Sequence, residues 1–400
     1  MKKFKKLLSI TLIVVFAISV LIPTSGVFAA TKELVVWSHL TEDEVKALQP
    51  IADEWGKQNG YTVKVLADKG SFQSFSTAAM SGKGPDIMYG LPHDNLGAFW
   101  KARLLEAVPS NLVDKKDFVS MAVDAVSFDG KMYGLPIAME TYALFYNTTK
   151  IKKAPTTMGE FLTLAKKYGF MYDINNFYFS FAFLAQNGGY VFKNKGGSLD
   201  PNDIGLGNSG TIKGLSLLRD FVQKYKFMPK DIKGDIAKGN FQNGKVAFYI
   251  SGPWDVEGFQ KANVPFAVAP LPKSDLGKPT PSFVGVQAAF VSAKSKNKDA
   301  AFKLLKYLVD NSGLKLFEVG NRIPVLNKLL SDPKVKGNAI MAGFAEQAKN
   351  GIPMPNIPEM SAVWGPGGNA LSLVTTGKAQ PKTAAEQMVK QIKQGIAQMQ

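Results

Sequence analysis

The chain has 400 residues, of which 46% are apolar and 20% are charged, and its formal net charge is +16. This composition is typical of a globular protein and excludes a disordered chain. Cysteine is absent, which excludes disulfides, thiol catalysis and thiolate metal sites within these residues.

Residues 1–29 have the pattern of an export signal. Four lysines at positions 2, 3, 5 and 6 precede an apolar run over 7–22, and small residues follow at Val27 and Ala29. The pattern predicts a cleaved signal peptide and a mature chain that starts at Ala30. A single membrane anchor is the alternative, but the run is short for a full span. Since no lipid-acceptor cysteine follows, we expect a soluble exported protein, in the periplasm or outside the cell.

The positive charge is carried almost entirely by lysine, with only three arginines in the chain. The lysines are spread in pairs, such as Lys115 and Lys116, or Lys166 and Lys167. Arginine is the usual residue for bidentate phosphate recognition. This distribution favours a solvated basic surface over a polyanion site and, together with export, predicts no nucleic-acid partner.

The elements after the signal alternate. A strand over 33–37 precedes a capping-box pair, Thr41 and Glu44, which predicts a helix. A strand over 61–65, a helix over 72–80 and a strand over 86–89 follow. This β-α-β-α-β order predicts an open, largely parallel sheet flanked by helices. Ligands bind at the carboxyl ends of such strands, so the loops after Trp37 and Tyr89 are candidate binding loops.

The rest of the chain continues as an α/β protein. Asp129 and Gly130 predict a hairpin turn. Further strands are predicted over 132–137, 142–146, 246–251, 264–269 and 283–291, and helices over 157–167, 211–224, 298–309 and 384–399. The length exceeds what one core supports, yet no low-complexity linker divides it. We therefore expect two domains that the chain joins more than once, with the ligand at their interface.

Chemistry based on histidine or metal is not indicated. The only histidines are His39 and His93, and no metal or triad motif is present. We predict no cofactor, no metal and no catalytic residue. A glycosidase carboxylate pair stays open as an alternative, because the chain has 32 acids and their spacing selects none.

Aromatic residues next to helix- and strand-breaking residues are the most informative feature. Trp254 follows Gly252 and Pro253, Trp364 precedes a Gly-Pro-Gly-Gly run, and residues 177–179 follow two asparagines. Flat aromatic faces bury the C–H faces of pyranose rings, while carboxylates and amides bind the hydroxyls. These positions favour contact with a sugar over packing in a core.

Several segments resemble the maltose- and maltodextrin-binding branch of the extracellular solute-binding proteins of family 1, which serve ATP-driven (ABC) importers. They are LVVWS from Leu34, GKGPDIMYG from Gly82, GKMYGLPIAMETYALFYN from Gly130, SGPW from Ser251 and MPNIPEMSAVW from Met354. The resemblance implies a two-lobed, type II periplasmic-binding-protein-like fold with a largely parallel sheet in each lobe. It places 30–140 and 284–331 in the first lobe, and 141–283 and 332–400 in the second.

The resemblance also implies a ligand site. The stacking residues would be Trp254, Trp364, Tyr178 and Phe179, and hydroxyls would bind Asp94, Glu140 and Lys69. Other candidate site residues are His39, Glu42, Phe72, Asn95, Asn176 and Met354. The chain departs from the family pattern at Ser71, Phe72, Asn95, Asn176 and Gly365, where charges and one ring are lost, so the preferred glucan length stays open.

We therefore expect a monomeric, non-enzymatic binding protein that captures maltodextrins and delivers them to a membrane permease. Two alternatives remain. The basic charge is compatible with an acidic oligosaccharide such as a pectin fragment. A secreted glycoside hydrolase would use Asp94 and Glu140 as its carboxylates.

Overall fold

The computed structural model describes residues 32–399 except 197 and 275. The predicted signal peptide and the start at Ala30 lie outside the described residues. Within the described part of the chain, no helix is both long and apolar enough to cross a membrane.

The strands are short and are distributed along the whole described chain. They are β1 Lys32–Ser38, β2 Tyr61–Ala67, β3 Ile87–Pro92, β4 Ser127–Phe128, β5 Lys131–Met132, β6 Leu135–Thr141, β7 Ala143–Asn147, β8 Phe170–Met171, β9 Phe192–Lys195, β10 Ser198–Ile204, β11 Phe248–Ser251, β12 Phe266–Ala269, β13 Phe283–Val291, β14 Ile323–Pro324 and β15 Ile352–Pro353.

Helices follow most of the strands. They are α1 Glu42–Asn59, α2 Ser74–Met80, α3 Leu96–Lys101, α4 Ser120–Ala125, α5 Met158–Tyr168, α6 Phe177–Ala185, α7 Ser209–Gln223, α8 Gly234–Gln242, α9 Val256–Lys261, α10 Lys298–Gly320, α11 Asn327–Leu330, α12 Pro333–Lys336, α13 Ala339–Ala348, α14 Trp364–Thr375 and α15 Pro381–Ala397.

Local sequence signals account for several of these boundaries. Thr41 and Glu44 form the predicted capping box at the start of α1. Asp129 and Gly130 both have positive φ and join β4 to β5 as a two-residue hairpin, the geometry of a type I′ turn. The helix predicted over 298–309 continues to Gly320.

The larger sheet has the order β14-β6-β13-β3-β1-β2, with β15 paired to β13. The pairs β1–β2 and β1–β3 are parallel, as the β-α-β order predicts. Strand β13 runs antiparallel to β3 and β6 and parallel to β15, and β14 runs antiparallel to β6. The sheet is therefore parallel on the β1 side and antiparallel around β13 and β6.

The smaller sheet has the order β12-β7-β11-β8. Here only β11–β8 is parallel, while β7 is antiparallel to both β11 and β12. The α/β, two-lobed fold class is confirmed, but the prediction of a largely parallel sheet in each lobe was wrong. The physical reason is that β7 and β13 are continuous with segments that pass between the sheets, so their directions are set by those passages and not by a β-α-β crossover.

The passages between the sheets lie side by side. Strand β6 ends at Thr141 and β7 begins two residues later, whereas β13 begins at Phe283 and is paired to β6 from Val284 onward. The Thr141 hydroxyl lies 2.7 Å from the Phe283 carbonyl oxygen, to which it donates, and 2.5 Å from the Ser282 hydroxyl. Strand β15 pairs with the same end of β13. The junction of β6 and β7, the start of β13, and β15 thus form one hydrogen-bonded connection between the sheets. We call this connection the strap.

Two separate hydrophobic cores flank this strap. One contains β1–β3, the inner face of β6, most of β13 and α10. The other contains β7, β11, α5–α8, α13 and the terminal helices α14 and α15. We call these bodies the first and second lobe.

Candidate functional site

A cavity of about 600 Å³ lies between the lobes, within the usual range for small-molecule sites. We call it the cleft. Its lining residues are His39, Thr41, Phe72, Gln73, Pro92, Asp94, Asn95, Glu140, Asn176, Tyr178, Phe179, Trp254, Gln287, Arg322, Met354 and Trp364. Both predicted binding loops contribute, because His39 follows β1 and Asp94 follows β3.

The second lobe supplies the aromatic side of the cleft. Tyr178 and Phe179 occupy the first turn of α6, Trp254 lies in the 3-10 turn before α9, and Trp364 is the first residue of α14. The glycines and the proline after Trp364 do not interrupt the helix. They form the first turn of α14, where proline is tolerated because its missing N–H needs no helical partner.

Two glycines allow these rings to approach the backbone. A Cβ on Gly252 would lie 2.3 Å from the indole of Trp254, and one on Gly367 would lie 2.5 Å from the ring of Phe177. Asn176 caps α6, with its side-chain oxygen accepting the Tyr178 N–H at 3.0 Å. The turn-forming residues beside the aromatics therefore orient the rings at helix starts.

The rings form one connected cluster, which includes the buried Phe283. Trp254 lies 6.3 Å from both Tyr178 and Phe179, measured between ring centroids. Tyr178 stacks on Phe283 at 6.1 Å, and Phe283 lies 6.1 Å from Trp364. The two tryptophans therefore belong to the same wall, as a carbohydrate-stacking surface requires.

The first lobe supplies the polar side. Asp94 is buried and accepts a hydrogen bond from the Trp364 indole N–H at 3.1 Å. Burial raises the pKa of Asp94 to about 7, since the protein interior disfavours the charged carboxylate. Asp94 thus links the lobes directly and is partly protonated near neutral pH.

Glu140 belongs to a buried charge network. The Arg322 guanidinium donates to one Glu140 oxygen, and Gln287 donates to the other at 2.9 Å. The same guanidinium binds both oxygens of Glu44, at 2.8 and 3.0 Å. Burial raises the pKa of Glu140, against the opposing effect of Arg322. These contacts hold Glu140 rigidly with lone pairs left for a ligand hydroxyl.

One polar atom in the cleft has no partner. The Tyr178 hydroxyl is buried and makes no hydrogen bond to any described residue. A buried unsatisfied hydroxyl destabilises a protein by roughly 1 to 3 kcal/mol. A bound ligand with its own hydroxyls would satisfy it.

His93 is buried beside the cleft and bonds to two backbone segments next to it. The Val286 N–H donates to Nδ1 at 3.0 Å, so the ring proton is on Nε2, which donates to the Met354 carbonyl oxygen at 3.0 Å. Burial lowers the pKa of His93 to about 4. A neutral His93 therefore joins β13 of the first lobe to the segment that carries Met354.

The lip of the cleft is formed by the loops after β1 and β2. His39 lies 3.1 Å from the Asp68 carboxylate, and burial lowers the pKa of His39 against that effect. The ring of Phe72 meets His39 edge-on at 5.0 Å and stays 43% exposed.

Two predicted site residues are not brought into the cleft. Lys69 and Glu42 form an ion pair with each other on the surface, with both side chains more than half exposed. The ammonium group of Lys69 reaches the first turn of α1, where Glu42 lies. Neither residue is among those that line the cavity, and their part in ligand binding stays a prediction.

Five lining residues were missed by sequence reasoning: Thr41, Gln73, Pro92, Gln287 and Arg322. Arg322 alone carried a usable signal, since it is one of only three arginines and is followed by an apolar run. A buried cation needs acidic partners, but their identity depends on tertiary contacts.

The chain is similar to several known sugar-binding proteins. Residues 50–343 match the family described as bacterial extracellular solute-binding protein. The chain is 35% identical over 378 residues to the galactooligosaccharide-binding protein of Bacillus subtilis, covering 89% of this chain and 87% of that protein. It is 32% identical over 393 residues to a maltooligosaccharide ABC transporter solute-binding lipoprotein of Streptococcus pneumoniae, covering 94% and 92%.

A solved structure matches as well. The maltose-maltodextrin binding protein of Alicyclobacillus acidocaldarius superimposes with a TM-score of 0.88 at 37% identity. The match covers 90% of this chain and 100% of that one.

Proposed function

Because the chain belongs to the bacterial extracellular solute-binding protein family, we propose that it captures maltose, maltotriose and longer maltodextrins in the cleft and delivers them to the permease subunits of an ABC importer. The chain is a solute-binding protein and not an enzyme. The names of the Streptococcus pneumoniae and Alicyclobacillus acidocaldarius proteins support the choice of ligand.

The observation that carries this proposal is the division of the cleft into two chemically different sides. Trp254, Tyr178 and Trp364 present ring faces from one lobe, and Asp94 and Glu140 present carboxyl groups from the other. A neutral oligosaccharide has apolar ring faces and a periphery of hydroxyls, so it matches both sides at once.

The charges of the cleft argue against an acidic oligosaccharide. Its lining contains Asp94, Glu140 and a single cation, Arg322, and that cation is already bound to Glu44 and Glu140. No cation in the described lining is free to pair with a uronic acid. The basic charge of the chain therefore lies elsewhere and does not indicate the ligand.

Galacto-oligosaccharides are a second candidate ligand. The Bacillus subtilis relative is named for them and has 35% identity. They share neutral pyranose rings with maltodextrins but differ in hydroxyl stereochemistry, which the fixed carboxyl groups of the first lobe would distinguish.

We propose that the lobes close on the sugar by rotation about the strap. Supporting this, Trp364 contacts Asp94 across the cleft, and an ion pair of 2.6 Å joins Lys261 of α9 in the second lobe to Asp43 of α1 in the first. A ligand drives closure only through contacts that differ between the open and closed forms. The two hydrophobic cores support lobe boundaries of 30–140 with 284–331, and 141–283 with 332–400, except that Phe317 and Ile323 pack in the second-lobe core.

Calorimetric titration of residues 30–400 with a matched set of oligosaccharides tests the ligand. Maltotriose and maltotetraose should bind, and cellotriose, of equal size but β-linked, should bind at least tenfold more weakly. Galactotriose is the comparison for the second candidate. Tighter binding of galactotriose than of maltotriose would reverse the choice, and no binding of any neutral sugar would reject the proposal.

Export, oligomeric state and membrane attachment are the remaining expectations. We propose export by a signal peptide at 1–29, action as a monomer, and no attachment through a lipidated cysteine, since the 400 residues contain none. N-terminal sequencing of the exported protein and its sedimentation with and without maltotriose measure these properties.

A further inference from the structure

The two lobes differ strongly in charge. With the proposed boundaries, the first lobe has 19 basic and 18 acidic residues, and the second lobe has 25 basic and 14 acidic residues. The net charges are therefore +1 and +11. Almost all of the positive charge lies on the lobe whose cleft-facing side is aromatic.

Part of this charge is concentrated at one place. Lys166 and Lys167 lie in the last turn of α5, and Lys224 follows the end of α7. The Lys166 and Lys224 ammonium groups lie 4.9 and 5.4 Å from the ring centroid of Tyr225. Two distant stretches of sequence therefore meet around one ring.

A second lysine–tyrosine pair follows Lys166 directly in the chain, because the Lys167 ammonium group lies 5.0 Å from the ring centroid of Tyr168. Lys226 follows Tyr225 directly, and all four lysines are exposed. We call Lys166, Lys167, Lys224 and Lys226, with Tyr168 and Tyr225, the basic patch.

No acidic group within the described chain forms an ion pair with any of the four patch lysines, whereas Lys195, Lys238 and Lys261 of the same lobe do have such partners. Lysines at helix ends are stabilised by the helix dipole, which accounts for part of the cluster. Two ammonium groups on one ring nevertheless repel each other. A counter-charge from outside the chain would relieve this repulsion.

We propose that the basic patch binds a linear polyanion with repeated phosphate groups. Lysine is a point-charge binder of phosphate. Three lysines against two rings, with Lys226 next to Tyr225 in the chain, match successive charges of a polymer better than one small anion. The exposed large apolar side chains of this lobe, Ile236 and Leu276, are not part of the patch, so it lacks the apolar groups that insert into a lipid surface.

In the sequence the lysine pairs are spread along the chain, which favours a solvated surface, but folding brings Lys166 and Lys224 to the same ring. The patch residues do not line the cleft, so polyanion binding and sugar binding should be independent.

The test compares two variants of residues 30–400 that lose the same charge. One carries Lys166→Gln, Lys167→Gln, Lys224→Gln and Lys226→Gln. The control carries Lys57→Gln, Lys83→Gln, Lys116→Gln and Lys131→Gln, exposed lysines of the first lobe without ion pairs to described residues. Binding of labelled inorganic polyphosphate is measured by fluorescence anisotropy at several salt concentrations.

We expect the patch variant to bind polyphosphate at least about tenfold more weakly than the wild type, with the salt slope reduced by about 3, near 0.7 per lost contact. The control should stay within about twofold, and maltotriose affinity should be the same in all three proteins. Equal loss in both variants would show net charge alone and overturn the proposal. So would absent polyphosphate binding by the wild type, including a result in which it binds only anionic phospholipid vesicles.

Discussion

The two sides of the cleft are built on different physical principles. The second-lobe side is a set of aromatic rings at the starts of three helical segments, held by packing against each other and against glycines. The first-lobe side is a set of carboxyl and amide groups held by buried hydrogen bonds, with Arg322 at their centre.

We therefore expect the aromatic side to contribute mainly to affinity and the polar side mainly to selectivity. Ring stacking tolerates many sugars, since every pyranose has an apolar face, whereas fixed carboxyl groups select the hydroxyl pattern. Variants on the aromatic side should therefore lower affinity with little effect on stability. Variants of the polar network should affect stability first.

The largest expected effect is on the polar side. Arg322→Ala leaves Glu44 and Glu140 buried without their cation, and we expect the free energy of unfolding to fall by about 3 to 5 kcal/mol. Part of the loss should be recovered at lower pH, where the carboxyls become protonated. Urea unfolding measures it, with Arg219→Ala, a partly exposed arginine, as the control expected to change by under about 1 kcal/mol. If both variants lost the same unfolding free energy, the buried contacts of Arg322 with Glu44 and Glu140 would not contribute specially to stability.

On the aromatic side, Trp254→Ala and Trp364→Ala should each weaken maltotriose binding by roughly 1 to 3 kcal/mol, by analogy with lost base stacking on aromatic rings. Calorimetry gives the affinities, and thermal unfolding shows that the fold persists. Lys83→Ala is the control, because Lys83 is exposed and does not line the cleft, and it should leave the affinity within about 0.5 kcal/mol. If both tryptophan variants retained wild-type affinity, the assignment of Trp254 and Trp364 as sugar-stacking residues would be wrong.

The pH dependence of stability tests the raised pKa of Asp94. Its pKa is about 7 in the folded protein and near 4 when unfolded. The folded state therefore binds more protons between these values, and stability should fall as pH rises from 4 to 7, by at most about 1.4 kcal/mol per unit. Asp94→Asn should lack this contribution.

His93 acts in the opposite direction, because its pKa of about 4 in the folded protein lies below its unfolded value near 6.5. Its contribution rises with pH between these limits. The difference in unfolding free energy between wild type and Asp94→Asn isolates Asp94, since His93 is common to both. A difference that does not vary from pH 4 to 7 contradicts the assigned pKa.

The smallest expected effect compares two tyrosines. Tyr178→Phe removes a hydroxyl without a partner, so the free protein should be as stable or slightly more stable, while maltotriose binds about 0.5 to 1.5 kcal/mol more weakly. Tyr142→Phe removes the acceptor of the Phe283 N–H and should instead lower stability. Unchanged binding by Tyr178→Phe would show that the hydroxyl does not meet the ligand.

Much of the fold follows from local sequence. The capping box at Thr41, the hairpin at Asp129 and most helix and strand positions are determined by residues a few positions apart. The strand directions around β13 were not predictable in this way, because they depend on passages between lobes whose partners lie far apart in the chain.

The residues of the candidate site also fall into those that the local sequence predicts and those that depend on distant partners. Sequence patterns and the family resemblance located Trp254, Trp364, Tyr178, Phe179, Asp94 and Glu140, since turn-forming residues and motifs mark them locally. Only the tertiary structure brought Arg322 to Glu44, 278 positions away, paired Lys69 with Glu42 outside the cleft, and gathered Lys166 and Lys224 around Tyr225. Charges act through space, so their partners are set by the fold, whereas helix caps and turns are set by near neighbours in the chain.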